Sequence, residues 1–126
     1  MSAASIQNFL VNENSGLKNL SFVVSCSPTV PVQPYNYNYY PDCGQTVSAA
    51  TIIYDASQAY KINPQVILST MEKEQSLVTT PNPTQSQLNC AMGYDSCSND
   101  NSFFSQVDNA TWQFRLYIEQ LEGLNW

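Results

Sequence analysis

Apolar residues recur at three- to four-residue spacing in several segments of the chain, which predicts an all-α, mainly helical fold. The longest such pattern covers residues 102–122 and is followed by Gly123. We expect a buried central helix there that ends at the glycine. A shorter helix is predicted over residues 3–12, whereas the apolar run in residues 17–25 fits either an extended segment or a packed loop.

Two more helices are predicted nearer the middle of the chain. One covers residues 47–60, with Thr46 or Ser48 as its N-cap, and a short one covers residues 84–89. Residues 26–45 contain four prolines and a glycine, which rule out a helix. We expect that stretch to be a long, irregular but ordered loop.

A third central helix contains the residue of greatest chemical interest, Glu74. Asn63 and Pro64 form a favourable helix start, and the helix should reach about Val78. At about 100° per residue, Glu74 falls inside an apolar arc and Glu72 on the opposite side. The arc comprises Val66, Ile67, Thr70, Met71, Leu77 and Val78.

A carboxyl group held among apolar side chains is poorly solvated, so its charged form is disfavoured. We therefore expect Glu74 to retain a proton near neutral pH, as a general acid does. Two alternatives remain open from the pattern alone. Glu74 points outward from the edge of the arc, or it is a structural carboxylate that caps buried backbone amides.

The four cysteines favour a disulfide framework over a zinc site. The chain has no histidine, and the gaps within the two cysteine pairs are sixteen and six residues, longer than in zinc motifs. Of the three possible pairings we favour Cys26–Cys43 and Cys90–Cys97, because each closes a loop-like segment. Disulfides imply an oxidising compartment, so we expect a secreted or cell-surface location, with no metal and no cofactor.

Charge and hydropathy exclude several classes of partner. The net charge is −6 with only four basic residues, so the clustered cations of a nucleic-acid binder or a basic membrane-surface helix are absent. No apolar run is long enough to span a bilayer, and no signal peptide is visible. We expect a monomeric domain, part of a longer exported protein, whose acidic surface is compatible with a neutral glycan.

Residues 62–77, INPQVILSTMEKEQSL, resemble the catalytic helix of the goose-type lysozyme and soluble lytic transglycosylase superfamily. Asn63-Pro64 matches the helix start and Glu74 falls on the catalytic glutamate. Gln75 stands where a serine usually follows, and Ser76 comes one place later. Residues 91–94, Ala-Met-Gly-Tyr, resemble the segment that lines the glycan groove, and residues 101–121 resemble the long helix after it.

The whole chain is more closely similar to a group of exported bacterial lysozyme-like domains. That similarity covers nearly the full length. The matching segments are Ile6–Leu10, Asn63–Ile67, Lys73–Leu77, Met92–Tyr94 and Phe103–Val107.

The resemblance implies one lysozyme-like domain over residues 1–126 that acts on peptidoglycan or a related β-1,4 glycan. Glu74 would protonate the glycosidic oxygen, with Asp95 or Asp100 as a second acid, or without one. The implied substrate-binding residues are Gln75, Ser76, Met92, Gly93, Tyr94, Asp95 and Gln106. The rival interpretations are a non-catalytic glycan-binding or surface-interaction module and a purely structural domain.

Overall fold

The computed structural model describes residues 1–26, 40–97 and 102–123. Helices dominate this part of the chain, which confirms the mainly helical fold class. The helices are α1 (Ala3–Asn12), α2 (Ala49–Tyr60), α3 (Pro64–Gln75), α4 (Gln85–Leu88) and α5 (Phe103–Leu121). Two short strands, β1 (Ser21–Val23) and β2 (Thr46–Ser48), pair antiparallel with Phe22 opposite Val47. Within the described ranges, no helix is long and apolar enough to cross a membrane.

The helices begin where their capping residues predict. The Ser48 side chain accepts a hydrogen bond from the Thr51 amide, so Ser48 is the N-cap of α2 and Thr46 belongs to β2 instead. Asn63 caps α3, with Pro64 at the first helical position, and Ser102 caps α5. Each side-chain oxygen satisfies one of the amides that a helix start leaves without a partner.

Helix α3 ends three residues earlier than the predicted limit at Val78. Ser76 adopts a left-handed conformation, with φ at 53°, and its amide donates to the Glu72 carbonyl. The Leu77 amide then bonds to the Met71 carbonyl, so the chain turns sharply out of the helix. Leu77 and Val78 are still buried, but as part of the following turn.

The core lies around α2, which packs against α1, α3 and α5. Only the first half of α5 is buried, so the predicted burial of its whole apolar stripe is wrong for the second half. Tyr117 is 55% exposed and Leu121 is 87% exposed. The fully buried apolar side chains include Ile6, Leu10, Leu17, Ile52, Ile53, Tyr60, Ile67, Met71, Leu77 and Val107.

Both predicted disulfides, Cys26–Cys43 and Cys90–Cys97, are present. The first joins the ends of the predicted irregular stretch. Residues 27–39 of that stretch lie outside the described residues, as does Asp100. Residues 40–45 form turns and a short connection to β2, in agreement with the prediction that no helix forms there.

A buried carboxylate on α5 connects three parts of the core. Asp108 Oδ1 accepts hydrogen bonds from the Tyr40 hydroxyl at 2.8 Å and the Tyr60 hydroxyl at 2.7 Å. Burial, with the Asp108 charge beside it, raises the pKa of Tyr40 well above its ordinary value. Tyr40 therefore remains a hydrogen-bond donor that fastens the end of the irregular stretch to α5.

A second pair of acids joins the same region to α2. Asp55 is 9% exposed, and its carboxyl group interacts directly with that of Asp42, the neighbour of Cys43. Neither Asp55 Oδ2 nor Asp42 Oδ1 has a hydrogen-bond donor among the described residues. Burial, together with the hydrogen bond to Asp42 and its charge, raises the pKa of Asp55 from 3.8 to about 7.

This pair makes the stability of the protein depend on pH. Between about pH 4 and pH 7 the folded state keeps a proton that the unfolded state releases, so stability falls as pH rises through that window. The rise of the Asp55 pKa from 3.8 to about 7 corresponds to about 4 kcal/mol, which we halve because water screens the partly exposed Asp42. We therefore expect the wild type to lose about 2 kcal/mol of unfolding free energy between pH 4 and pH 8. Asp55→Asn should largely remove the loss, whereas Asp42→Asn should only reduce it, because burial is the largest cause of the raised Asp55 pKa. Denaturant titrations of all three proteins at several pH values measure it, and parallel pH profiles would contradict it.

Candidate functional site

The two glutamates near the end of α3 have different environments. Glu72 accepts three hydrogen bonds: from the Val78 amide at 3.1 Å, the Thr79 amide at 3.2 Å and the Thr79 hydroxyl at 2.8 Å. Its carboxylate therefore holds the turn that follows α3. The capping role considered above for Glu74 belongs to Glu72.

Glu74 is exposed, which corrects the prediction that its own helix keeps it out of water. The buried stripe of α3 consists of Pro64, Ile67, Leu68 and Met71. Val66, Thr70 and Glu74 form the next stripe at four-residue spacing, and Val66 is itself 43% exposed. The prediction is wrong because α3 ends at Gln75, so Leu77 and Val78 lie beyond the helix and do not belong to its apolar arc.

The Glu74 carboxyl group lies directly against Gly93. A Cβ atom at Gly93 would come within 2.6 Å of Glu74 Oε2 and 2.7 Å of its Cδ. Gly93 also has φ at +64°, a conformation that side-chain-bearing residues rarely adopt. The backbone conformation therefore favours glycine at this position, and a larger residue would also displace the Glu74 carboxyl group.

Glu74 and Gly93 line a groove of about 510 Å³ between the end of α3, the turn after Cys90 and the second half of α5. The structure brings together five of the predicted site residues here: Glu74, Met92, Gly93, Tyr94 and Asp95. Asp95 is exposed, and Tyr94 is half-buried.

Gln106 does not face the groove, which corrects its prediction as a substrate-binding residue. It is fully buried, and its Oε1 accepts hydrogen bonds from the Met92 amide at 3.1 Å and the Tyr94 amide at 2.9 Å. Its Nε2 donates to the Tyr94 carbonyl at 3.0 Å. Gln106 thus fastens the Met92–Tyr94 segment to α5, and its burial prevents direct contact with a ligand.

Gln75 and Ser76 are also outside the residues that line the groove. The Gln75 carbonyl accepts a hydrogen bond from Gln87 Nε2, and Ser76 forms the left-handed residue that ends α3. Gln75 and Ser76 therefore form the end of α3 and do not line the groove.

Sequence reasoning missed half of the groove wall. The signal was present in α5, where Ala110, Phe114 and Tyr117 recur at three- to four-residue spacing. That periodicity predicts core residues, but these side chains form the wall opposite α3. The missed lining residues are Thr70, Lys73, Ala110, Gln113, Phe114 and Tyr117.

Comparison with known proteins places the chain in a family. A family model described as LasA, N-terminal domain, matches residues 1–121. The chain belongs to the LasA N-terminal domain family. LasA is a secreted staphylolytic peptidase, and with the two disulfides this supports an extracytoplasmic location for the present domain. No curated protein and no solved structure matches the chain. The similarity to goose-type lysozymes stays a prediction from the motifs.

This member of the LasA N-terminal domain family has a second, larger cavity of about 600 Å³ on the other side of α3. Phe9, Leu68 and Val78 are among the residues that line it, together with Glu72. The carboxylate there is already engaged by three hydrogen bonds, so it has little capacity left for a ligand. We therefore assign the candidate site to the smaller groove, where Glu74 lies. Among the described residues, no group of three potential metal ligands occurs.

Proposed function

We propose that this domain binds bacterial cell-wall glycan in the Glu74 groove and cleaves it with Glu74 as the general acid. One observation carries the proposal. The Glu74 carboxyl group stands in an open groove against Gly93, and within the described ranges it accepts no hydrogen bond that would commit it to the fold. A carboxyl group with that freedom is available to a ligand.

The groove has a size and lining that suit a sugar chain. Its volume of about 510 Å³ lies within the range of ordinary ligand sites. Tyr94, Phe114 and Tyr117 supply aromatic faces on which sugar rings stack, and Gln113 and Thr70 supply polar groups for hydroxyl and N-acetyl groups.

The chemistry would begin with transfer of the Glu74 proton to the glycosidic oxygen as the sugar gains oxocarbenium character. Asp95 is the other carboxylate that lines the groove. It would activate water or stabilise the cationic sugar; if it does neither, the sugar's own hydroxyl completes the reaction. These routes give different products, so the product identifies the route.

The staphylolytic activity of LasA supports the same polymer as the target. LasA itself is a peptidase, so the family match does not specify the bond that this domain would cleave. The choice of the glycan over the peptide comes from the site, where a carboxyl group and aromatic faces are present without a histidine anywhere in the chain.

Mass spectrometry of purified peptidoglycan after incubation with the wild-type protein tests the proposal. Hydrolysis would release fragments with a reducing end, and the intramolecular route would release anhydro sugars. We expect one of these two products. Fragments that differ only by peptide cleavage would contradict the proposal, as would an unchanged digest together with no binding.

The exposure of Glu74 favours a second candidate, a non-catalytic glycan-binding module. General acids that work near neutral pH are usually shielded from water, and Glu74 is not. In that case the protein would bind purified glycan saturably, with the aromatic wall supplying contacts, and the mass spectrum of the glycan would remain unchanged.

A further inference from the structure

Lys73, next to Glu74 in the chain, borders the groove from a different direction. Successive residues on a helix point about 100° apart, so Lys73 faces away from Gly93 while Glu74 lies against it. Lys73 lines the Glu74 groove, a neighbouring cavity of about 440 Å³ and the larger cavity beyond α3. Its side chain therefore stands at the rim, where a branch of a bound polymer would leave the groove.

The charge of Lys73 has no ion-pair partner among the described residues, although its place in the last turn of α3 suits the helix dipole. The side chain is exposed. Its neighbour Glu72 is engaged by Val78 and Thr79, and Glu74 lies against Gly93.

Two of the other three basic side chains of this acidic protein, Arg115 and Lys18, differ from Lys73. Arg115 forms ion pairs with Glu119 and Glu122, and Lys18 Nζ donates to Asn14 Oδ1 at 3.0 Å. In a chain with ten acidic and four basic residues, an uncommitted cation beside the candidate site is a notable placement. Such a cation attracts an anionic ligand group and repels none of the neutral parts of a glycan.

We propose that Lys73 makes the groove select glycan that carries a carboxylate, such as the lactyl group of a muramic acid or its attached peptide, over neutral β-1,4 glycan of the same length. This inference rests on the proposed function, since it assumes that glycan occupies the groove. It adds a specificity that Glu74 does not supply, because a carboxylate cannot attract another carboxylate.

Equilibrium binding to three tetrasaccharides tests the inference. One is the neutral N-acetylglucosamine tetramer, one contains muramic acid with free lactyl carboxylates, and one carries the peptide. Mass spectrometry after each titration verifies that the ligand is intact, and where the wild type cleaves a ligand the same comparison is made in the Glu74→Gln background. The wild type should bind at least one carboxylate-bearing ligand about three- to fivefold more tightly than the neutral one, the ratio typical of an exposed ion pair. High salt should reduce that ratio.

Variants at two lysines separate this effect from a general effect of charge. Lys73→Met should bring the ratio close to one, and Lys73→Arg should preserve it. Lys18→Met removes the same charge away from the groove and should leave the ratio at the wild-type value. Equal affinity of the wild type for all three ligands, or a preference that survives Lys73→Met, would overturn the role of Lys73 alone. If the wild type binds none of the glycans, the proposed function fails and this inference fails with it.

Discussion

Replacing Glu74 with Gln is expected to lower turnover of purified cell walls by about 10²–10⁴-fold, the usual contribution of a general acid. Gln has nearly the same shape as Glu but has no proton to deliver to the glycosidic oxygen. Because Glu74 is exposed and forms no hydrogen bond with the described residues, the unfolding free energy should change by less than about 0.5 kcal/mol. The release of soluble fragments measures the turnover, and a denaturant titration of the same preparations measures the unfolding free energy.

Glu72→Gln is a matched control two residues away. Glu72 accepts hydrogen bonds from Val78 and Thr79; a Gln amide oxygen would accept the two backbone bonds more weakly, and its nitrogen could not accept the bond from the Thr79 hydroxyl. We expect the opposite result: a loss of about 1 kcal/mol in stability and turnover close to wild type. Equal turnover by the wild type and Glu74→Gln would remove the acid role from Glu74.

Replacing Gln106 with Leu is expected to have the largest effect on stability. The substitution removes one acceptor that serves the Met92 and Tyr94 amides and one donor to the Tyr94 carbonyl. Buried amides without partners are costly, so we expect a loss of about 3 kcal/mol in unfolding free energy. The measurement is a denaturant titration monitored by circular dichroism.

The functional consequence of Gln106→Leu should follow from the same contacts. The Met92–Tyr94 segment forms the wall on which Glu74 lies, so loosening it should weaken glycan binding even where the protein remains folded. Gln120→Leu, at an exposed position on the same helix, should change neither stability nor binding appreciably. Similar losses from both variants would indicate that the hydrogen bonds of Gln106 are unimportant.

Local sequence signals predicted most of the helix starts. Asn63 with Pro64, Ser48 and Ser102 act within a single turn, through contacts between residues close in the chain. The two disulfides were predictable for a related reason, because short loops limit the plausible partners.

The environment of Glu74 was not predictable, since it depends on contacts distant in sequence. The helix ends early at a left-handed turn at Ser76, and no glycine or proline at this point of the sequence predicts that turn. In α5, the periodicity identified the apolar side chains but did not show how far along the helix the rest of the protein buries them. Phe114 and Tyr117 continue the pattern of Val107 beyond the edge of the core and become the wall of the groove.

The disulfide between Cys90 and Cys97 has a consequence for ligand binding. These residues close a short covalent ring that contains Met92, Gly93 and Tyr94. A ring this small contributes less to global stability than one that spans a long loop, so its main effect is on local shape. The face that would meet a ligand under the proposed function is thus preorganised, and less conformational freedom is left to be lost on association.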